Sequence, residues 1–103
     1  MATPGSRVAA VSRSANTLDV FVVAPDGAIY TAAWDPTVST DWRGWWRIGT
    51  GVARQDGGIV AVSRGPEKLD AFIVGTDGGV WTAAWDPTVS NDWRGWWRIG
   101  PVL

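Results

Sequence analysis

Apolar positions along the chain fall into short bursts separated by turn residues, and no stretch carries a helical spacing that competes with this pattern. Val8–Ser12 is apolar with small side chains, Leu18–Ala24 is rich in Val and Phe, Ala28–Trp34 mixes β-branched and aromatic residues, and Trp45–Ile48 is aromatic. Each burst predicts a strand. Pro25-Asp26-Gly27 lies between the second and third bursts, and Asp-Gly between apolar runs is a strong hairpin signal, so these two strands should pair antiparallel. Asp35-Pro36-Thr37 opens a surface loop running to Asp41, because Pro cannot donate to a strand ladder and Asp can cap a turn.

The same pattern then recurs. Sliding the sequence by 51 residues aligns Met1–Val52 with Val52–Leu103 without a gap, and 29 of the 52 pairs are identical. Identities include Thr31–Ser39 with Thr82–Ser90 and Asp41–Gly49 with Asp92–Gly100, while differences collect in Met1–Arg7 and Ser14–Thr17. Two repeat units are predicted, 1–51 and 52–103, and Gly49–Gly51 joins them with no Pro/Ser-rich linker. The second unit should therefore pack directly on the first. Four short antiparallel strands per unit of about 50 residues is the construction of one β-propeller blade, so the expected fold is all-β with two four-stranded blades.

Composition narrows the chemistry. The 103 residues carry 46% hydrophobic and 18% charged residues with a formal charge of −1, a globular balance with no basic face for nucleic acid and no apolar run long enough to span a membrane. Met1–Arg7 lacks the apolar core of a signal peptide, so the chain reads as soluble. Cys and His are both absent, which removes disulfides, thiol chemistry, Cys/His metal sites and histidine acid-base catalysis. Asp35 and Asp41 are near enough to consider as a glycosidase pair, but Pro36 and the loop context favour turn roles. The sole Glu, Glu67, faces Asn16 in the aligned repeat. The oxygen-ligand spacing is too sparse for a calcium loop. Neither an enzyme nor a cofactor or metal site is expected.

Nine Trp are far more than ordinary usage provides, and eight fall in two clusters. Trp34, Trp42, Trp45 and Trp46 stand with Arg43 and Arg47, and Trp85, Trp93, Trp96 and Trp97 repeat them with Arg94 and Arg98. Sugars are bound by an aromatic face under C–H bonds while charged groups take the neighbouring hydroxyls, and Trp with Arg supplies both. Alternation puts Trp45 and Trp46, and likewise Trp96 and Trp97, on opposite faces, one able to pack between blades and the other to line a cleft. Each Trp alone also fits plain blade-to-blade packing. Arg13 and Arg64 end the first strand of each unit, either as solvated charges or as hydroxyl clamps at the mouth of a cleft. Asp19 and Asp70 are expected to satisfy turn amides. Tyr30 and Trp81 occupy equivalent positions that suit a stacking platform or the core.

The sequence of elements Ala-Val-Ser-Arg, Leu-Asp-x-Phe, Asp-Gly-x-(Ile/Val)-(Tyr/Trp)-Thr-Ala-Ala-Trp and Trp-Arg-Gly-Trp-Trp-Arg-Ile resembles the repeat of bacterial β-propeller lectins typified by the Photorhabdus lectins, which bind fucose and O-methylated sugars. It covers nearly the whole chain, twice. The resemblance implies monosaccharide sites in clefts between adjacent blades and fucosylated or methylated glycans as partners. Its candidate residues are Arg13, Tyr30, Trp34, Trp42, Trp45, Trp46, Arg47, Arg64, Trp81, Trp85, Trp93, Trp96, Trp97 and Arg98. Family members that close a ring within one chain carry about seven repeats, against two here, so closure must come from other chains or from a missing part of the gene. Two blades also leave outer faces uncovered, and head-to-tail contact between copies would bury them in an even-bladed ring. A trimer of six blades is favoured because fewer associations cost less freedom, with a tetramer as second choice. A pair of blades that assembles but binds nothing is the competing reading.

Overall fold

The structure is a computed structural model that describes residues 8–54 and 57–100. The run 1–7, including its lack of a signal peptide, and the ends of both predicted repeat units lie outside the described residues. Eight strands occur in chain order: β1 Val8–Val11, β2 Leu18–Val23, β3 Ala28–Trp34, β4 Arg43–Val52, β5 Ile59–Gly65, β6 Lys68–Val74, β7 Val80–Trp85 and β8 Arg94–Arg98. They form two four-stranded sheets, β1-β2-β3-β4 and β5-β6-β7-β8, antiparallel throughout. No helix occurs among the described residues. This is the all-β, two-blade arrangement that the apolar bursts predict.

The turns follow the residues that punctuate the bursts. In the β2–β3 hairpin Asp26 Oδ1 accepts from the Ala28 N–H at 3.0 Å, and Gly27 takes a φ of 88° that suits glycine. Asp77 and Gly78 repeat this between β6 and β7, with the Gly79 N–H donating to Asp77 Oδ1 at 2.8 Å.

The fourth strand differs from expectation in two ways. It extends from Arg43 to Val52, through the glycines read above as a joint, because the backbone past Ile48 stays bonded: Val52 pairs with Ala28, and the Ala53 N–H donates to Gly27 O at 2.8 Å. The chain then bridges to the second sheet through Ala53 and Gly75. Gly51 is required there, since a Cβ would lie 2.3 Å from Trp96 Cδ1. The second difference is a bulge. Thr31 pairs with Trp46 but the next residue, Ala32, pairs with Gly44, which leaves Trp45 as the extra residue and breaks the plain alternation expected through Trp45-Trp46. Thr82, Trp97, Ala83, Gly95 and Trp96 repeat it.

The sheets stack like strand on like strand, β1 against β5 and β4 against β8. Between them and through the second sheet runs one apolar core, including Phe21, Val23, Ile48, Ile59, Leu69, Ala71 and Ile73. Aligned residues of the repeats meet different surroundings as a result. Leu69 is 2% exposed and Leu18 43%, because only the second sheet has a neighbour on that side. On the other side the order reverses, with Ile48 at 1% and Ile99 at 47%. Each end of the pair thus presents a face whose copy is buried inside the chain.

Gly44 and Gly95 open the bulges at φ values of 135° and 124°, and a Cβ on either would lie 2.9 Å from the Cα of Ala32 or Ala83. Gly44→Ala and Gly95→Ala should each destabilise the fold by roughly 1–3 kcal/mol through backbone strain and clash. Urea denaturation measures this, and an unchanged midpoint would contradict the assigned bulge.

Candidate functional site between the two sheets

A cleft of about 740 Å³ opens between the blades. The first sheet lines it with Arg13, Asp19, Thr31, Arg43, Trp45, Trp46 and Arg47, and the second with Leu69, Trp85, Asn91, Asp92 and Trp93. Thr31 and Trp46 share a wall because they are cross-strand partners on β3 and β4. The opposite wall is set by Trp93, which packs edge-on against Phe21 with ring centroids 5.7 Å apart and an interplanar angle of 89°. Trp85 and Trp93 lie tilted at 6.3 Å, as Trp34 and Trp42 do at 6.2 Å.

The two Trp of each pair have different surroundings. Trp96 is half-buried, and its indole N–H donates to Ile48 O of the first sheet at 3.0 Å. Its copy Trp45 has no blade before it and is 54% exposed. Trp46 and Trp97 are exposed in both repeats, at 46% and 48%, although Trp46 has a following blade and Trp97 has none. Arg43 lies over the Trp46 ring at 5.7 Å, and Arg94 lies over Trp97 at the same distance. Both arginines bury Nε without a hydrogen-bond partner. The stacking holds the Arg43 guanidinium on the cleft wall beside the exposed Trp46 face.

Arg13 is not a solvated charge. Its Nε donates to Asp19 Oδ2 at 2.9 Å and its Nη1 to Glu67 Oε1 at 2.5 Å, and the Glu67 N–H donates to Arg13 O at 3.0 Å. Burial pulls the Arg13 guanidinium down, but Asp19 and Glu67 outweigh it and hold the group above its ordinary range. Burial pushes the Asp19 carboxyl up, against the pull of Arg13. The turn-amide role expected for Asp19 and Asp70 is therefore corrected. Asp70 holds Arg64 in the same way, at 2.5 Å, because strand pairing sets Asp19 opposite Val11 and Asp70 opposite Val62, each two residues before the Arg it bonds.

The loops that carry Trp42 and Trp93 are fixed by their first residue. Asp35 Oδ1 accepts from the Thr37 N–H at 3.0 Å and the Thr37 hydroxyl at 2.7 Å, and Asp86 repeats this with Thr88. Ser39 and Ser90 Oγ then accept from the Asp41 and Asp92 N–H groups, each at 3.1 Å. The Asp35 carboxylate serves its turn as expected, while Asp41 takes part through its backbone N–H. Among the described residues no group of three or more Asp and Glu is arranged to hold a metal ion, and no helix is long and apolar enough to cross a membrane.

Of the sequence candidates, the cleft gathers Arg13, Trp45, Trp46, Arg47, Trp85 and Trp93. Trp81 and Trp96 instead line a second hollow of about 290 Å³ with Asp77, whose Oδ1 accepts from the Trp81 indole at 3.2 Å. Arg64, Trp97 and Arg98 lie on the second blade at positions whose copies line the main cleft. Trp34 and Trp42 are the copies of Trp85 and Trp93, while Tyr30 is half-buried and lines neither hollow. Sequence reading omitted Arg43 and Arg94 from the candidates, although each stands three residues before the Trp it covers.

No protein-family model and no curated protein sequence matches the chain. Solved structures do. A mutant of the Aleuria aurantia lectin in complex with α-methyl-L-fucoside matches with a TM-score of 0.74 at 20% identity, over 97% of this chain and 29% of that one. The same lectin with Fucα1-6GlcNAc matches at 0.74, and a mercury derivative described as the fucose-specific lectin from Aleuria aurantia at 0.70. The chain has the fold of two blades of that lectin. It spans under a third of the lectin's length.

The bonds from Thr37 and Thr88 hold Asp35 and Asp86 below the usual carboxylate range. A lowered folded-state pKa adds stability that is present above the ordinary Asp value near 3.8 and lost as pH falls through the lower folded value. The double variant Asp35→Asn and Asp86→Asn should accordingly melt below wild type at neutral pH, and the gap should close under acid. Thermal melts at pH 7 and at about pH 2 check this, and a gap that widens on acidification would refute it.

Proposed function

We propose that the chain is a carbohydrate-binding lectin that takes monosaccharides, fucose or an O-methylated sugar, in clefts between adjacent blades and catalyses nothing. The observation that carries this reading is the Arg-on-Trp pair, Arg43 with Trp46 and Arg94 with Trp97, its indole kept open to solvent in both repeats. Leaving two indoles exposed forgoes burial that a purely structural residue would take, while an indole face beside fixed donors matches the mixed surface of a pyranose. Arg47 on one wall and Asp92 on the other add polar groups for ring hydroxyls. The shared fold with a fucose-specific lectin supports the reading, as does the repeat's resemblance to the Photorhabdus lectins.

Several sites on one body raise avidity, and the exposed end faces supply the means. The leading face of the first blade (Leu18, Trp42) is the copy of a face packed inside the chain (Leu69, Trp93), and the trailing face of the second blade copies the one it packs against. Head-to-tail joining of copies repeats the internal junction, and three chains close a six-bladed ring at about 60° per blade. Half the clefts then lie within chains and half between them. Each site should bind weakly, at about millimolar to micromolar, with avidity from the ring.

Trp46→Ala with Trp97→Ala should abolish binding of methyl α-L-fucoside and leave the ring intact, whereas Trp45→Ala with Trp96→Ala should break the ring. Calorimetry and native mass spectrometry read the two effects. Retained sugar binding in the first variant overturns the site, and a wild-type array that binds no glycan leaves a blade pair built for assembly alone.

A further inference from the structure

We infer that the clefts between chains and the cleft within the chain differ in charge preference, those between chains taking sugars that bear a carboxylate; this rests on the lectin ring proposed above. The two kinds of cleft are built from aligned residues, so only repeat differences can separate them. On the trailing side Arg13, Asp19, Thr31, Arg43, Trp46 and Arg47 are matched by Arg64, Asp70, Thr82, Arg94, Trp97 and Arg98 without change of residue type. On the leading side Leu69, Trp85, Asp92 and Trp93 are matched by Leu18, Trp34, Asp41 and Trp42, and Asn91 is replaced by neutral Thr40.

Two differences alter charge at the turn reaching across from the leading blade: Glu67 stands where the first repeat has Asn16, and Lys68, whose Nζ lies 3.9 Å from Asp86 Oδ2, stands where it has Thr17. Glu67 sits between β5 and β6 at a φ of 60°, and Asn16 sits between β1 and β2 at 61°. Both residues take the left-handed conformation, Glu67 in the two-residue turn 66–67 and Asn16 in the longer connection 12–17. Within the chain Glu67 clamps Arg13, which also holds Asp19, and the Arg13 side chain is left 11% exposed. The guanidinium is matched by two carboxylates there, and a third anion would meet the charge of Glu67. At a junction between copies Arg64 of one chain faces Asn16 of the next. Arg64 keeps Asp70 on its Nε, and Asn16 offers an amide without charge, so the guanidinium there has one carboxylate fewer beside it. The outer nitrogens of Arg64 are then open to a carboxylate, the partner a planar guanidinium binds best. A uronic acid presents such a group on a ring of the size the cleft is proposed to hold.

The probes are methyl β-D-glucuronide and, as the neutral reference, methyl α-L-fucoside, titrated calorimetrically into the assembled wild-type protein. The glucuronide should bind once per chain with a salt-sensitive affinity, against twice per chain for the fucoside. Asn16→Glu should weaken glucuronide binding by about tenfold or more, and Glu67→Asn should raise its stoichiometry to two per chain. Asn16→Asp, an easy residue for the left-handed conformation, provides the same charge if Asn16→Glu misfolds. Native mass spectrometry of each variant reports the ring. Equal glucuronide binding in wild type and the Asn16 variants, or fucoside binding with no glucuronide binding, overturns the charge assignment alone. A protein that binds neither sugar, or that stays a monomer, overturns the lectin ring beneath it.

Discussion

Stacking of one four-stranded sheet on the next is the contact on which the rest of the molecule depends. A lone sheet of this size has two apolar faces and too little buried area to be stable, so each repeat completes its neighbour. The contact is specific as well as greasy. Trp93 meets Phe21 edge-on, and the Trp96 indole satisfies its one donor on Ile48 O while lying over Gly51, which has no side chain to hold it off. A bulky residue at Gly51 would displace that indole and lose both the hydrogen bond and the fit. The cleft lies beside these anchors, and Trp93 belongs to both, so packing and cleft wall are set by the same contact.

One short motif divides packing from presentation. In Trp-Arg-Gly-Trp-Trp-Arg, the glycine takes a backbone conformation that opens a bulge, and the first Trp of the following pair becomes the inserted residue. That Trp turns to the preceding blade where one exists. The second stays in register opposite a Thr and remains in solvent under the stacked Arg. Without the bulge, strict alternation would still separate the two side chains, but it would not allow the close approach of Gly44 and Gly95 to the backbone of β3 and β7.

Much of this was legible in the sequence. The 51-residue register, the apolar bursts and the Asp-Gly turns give the strands, their pairing and the two-blade plan, because these are local signals repeated twice. The length of β4 was not legible, since Gly49 and Gly51 read as a joint and are kept in a strand only by partners on β3 and by Trp96 above them. The roles of Asp19 and Asp70 were missed for a related reason: each lies opposite the end of the strand before it, where the Arg six residues earlier in sequence comes within reach. Arg43 reads as one charge among several until the fold shows its Nε buried with no partner. The link from Arg13 to Glu67 spans 54 residues and two sheets, and no spacing rule points to it.

Internal repetition makes the junction inside the chain a template for its ends. Identical residues that are buried in one repeat and bare in the other, such as Leu69 and Leu18, differ only in whether a neighbour is present. The two bare faces are also different from each other, one copying the leading side of a blade and the other the trailing side, so a contact between them is heterologous and runs in one direction. Such a contact closes when the angle set by the internal junction divides a full turn, and otherwise grows without limit. In the proposed ring, selection on the internal junction would act on the assembly as well, because the same Trp, Phe and Gly residues would serve both. Freedom to diverge is confined to positions outside that shared set. The turn carrying Asn16 or Glu67 is one of them, since Glu67 touches Arg13 without belonging to the apolar contact.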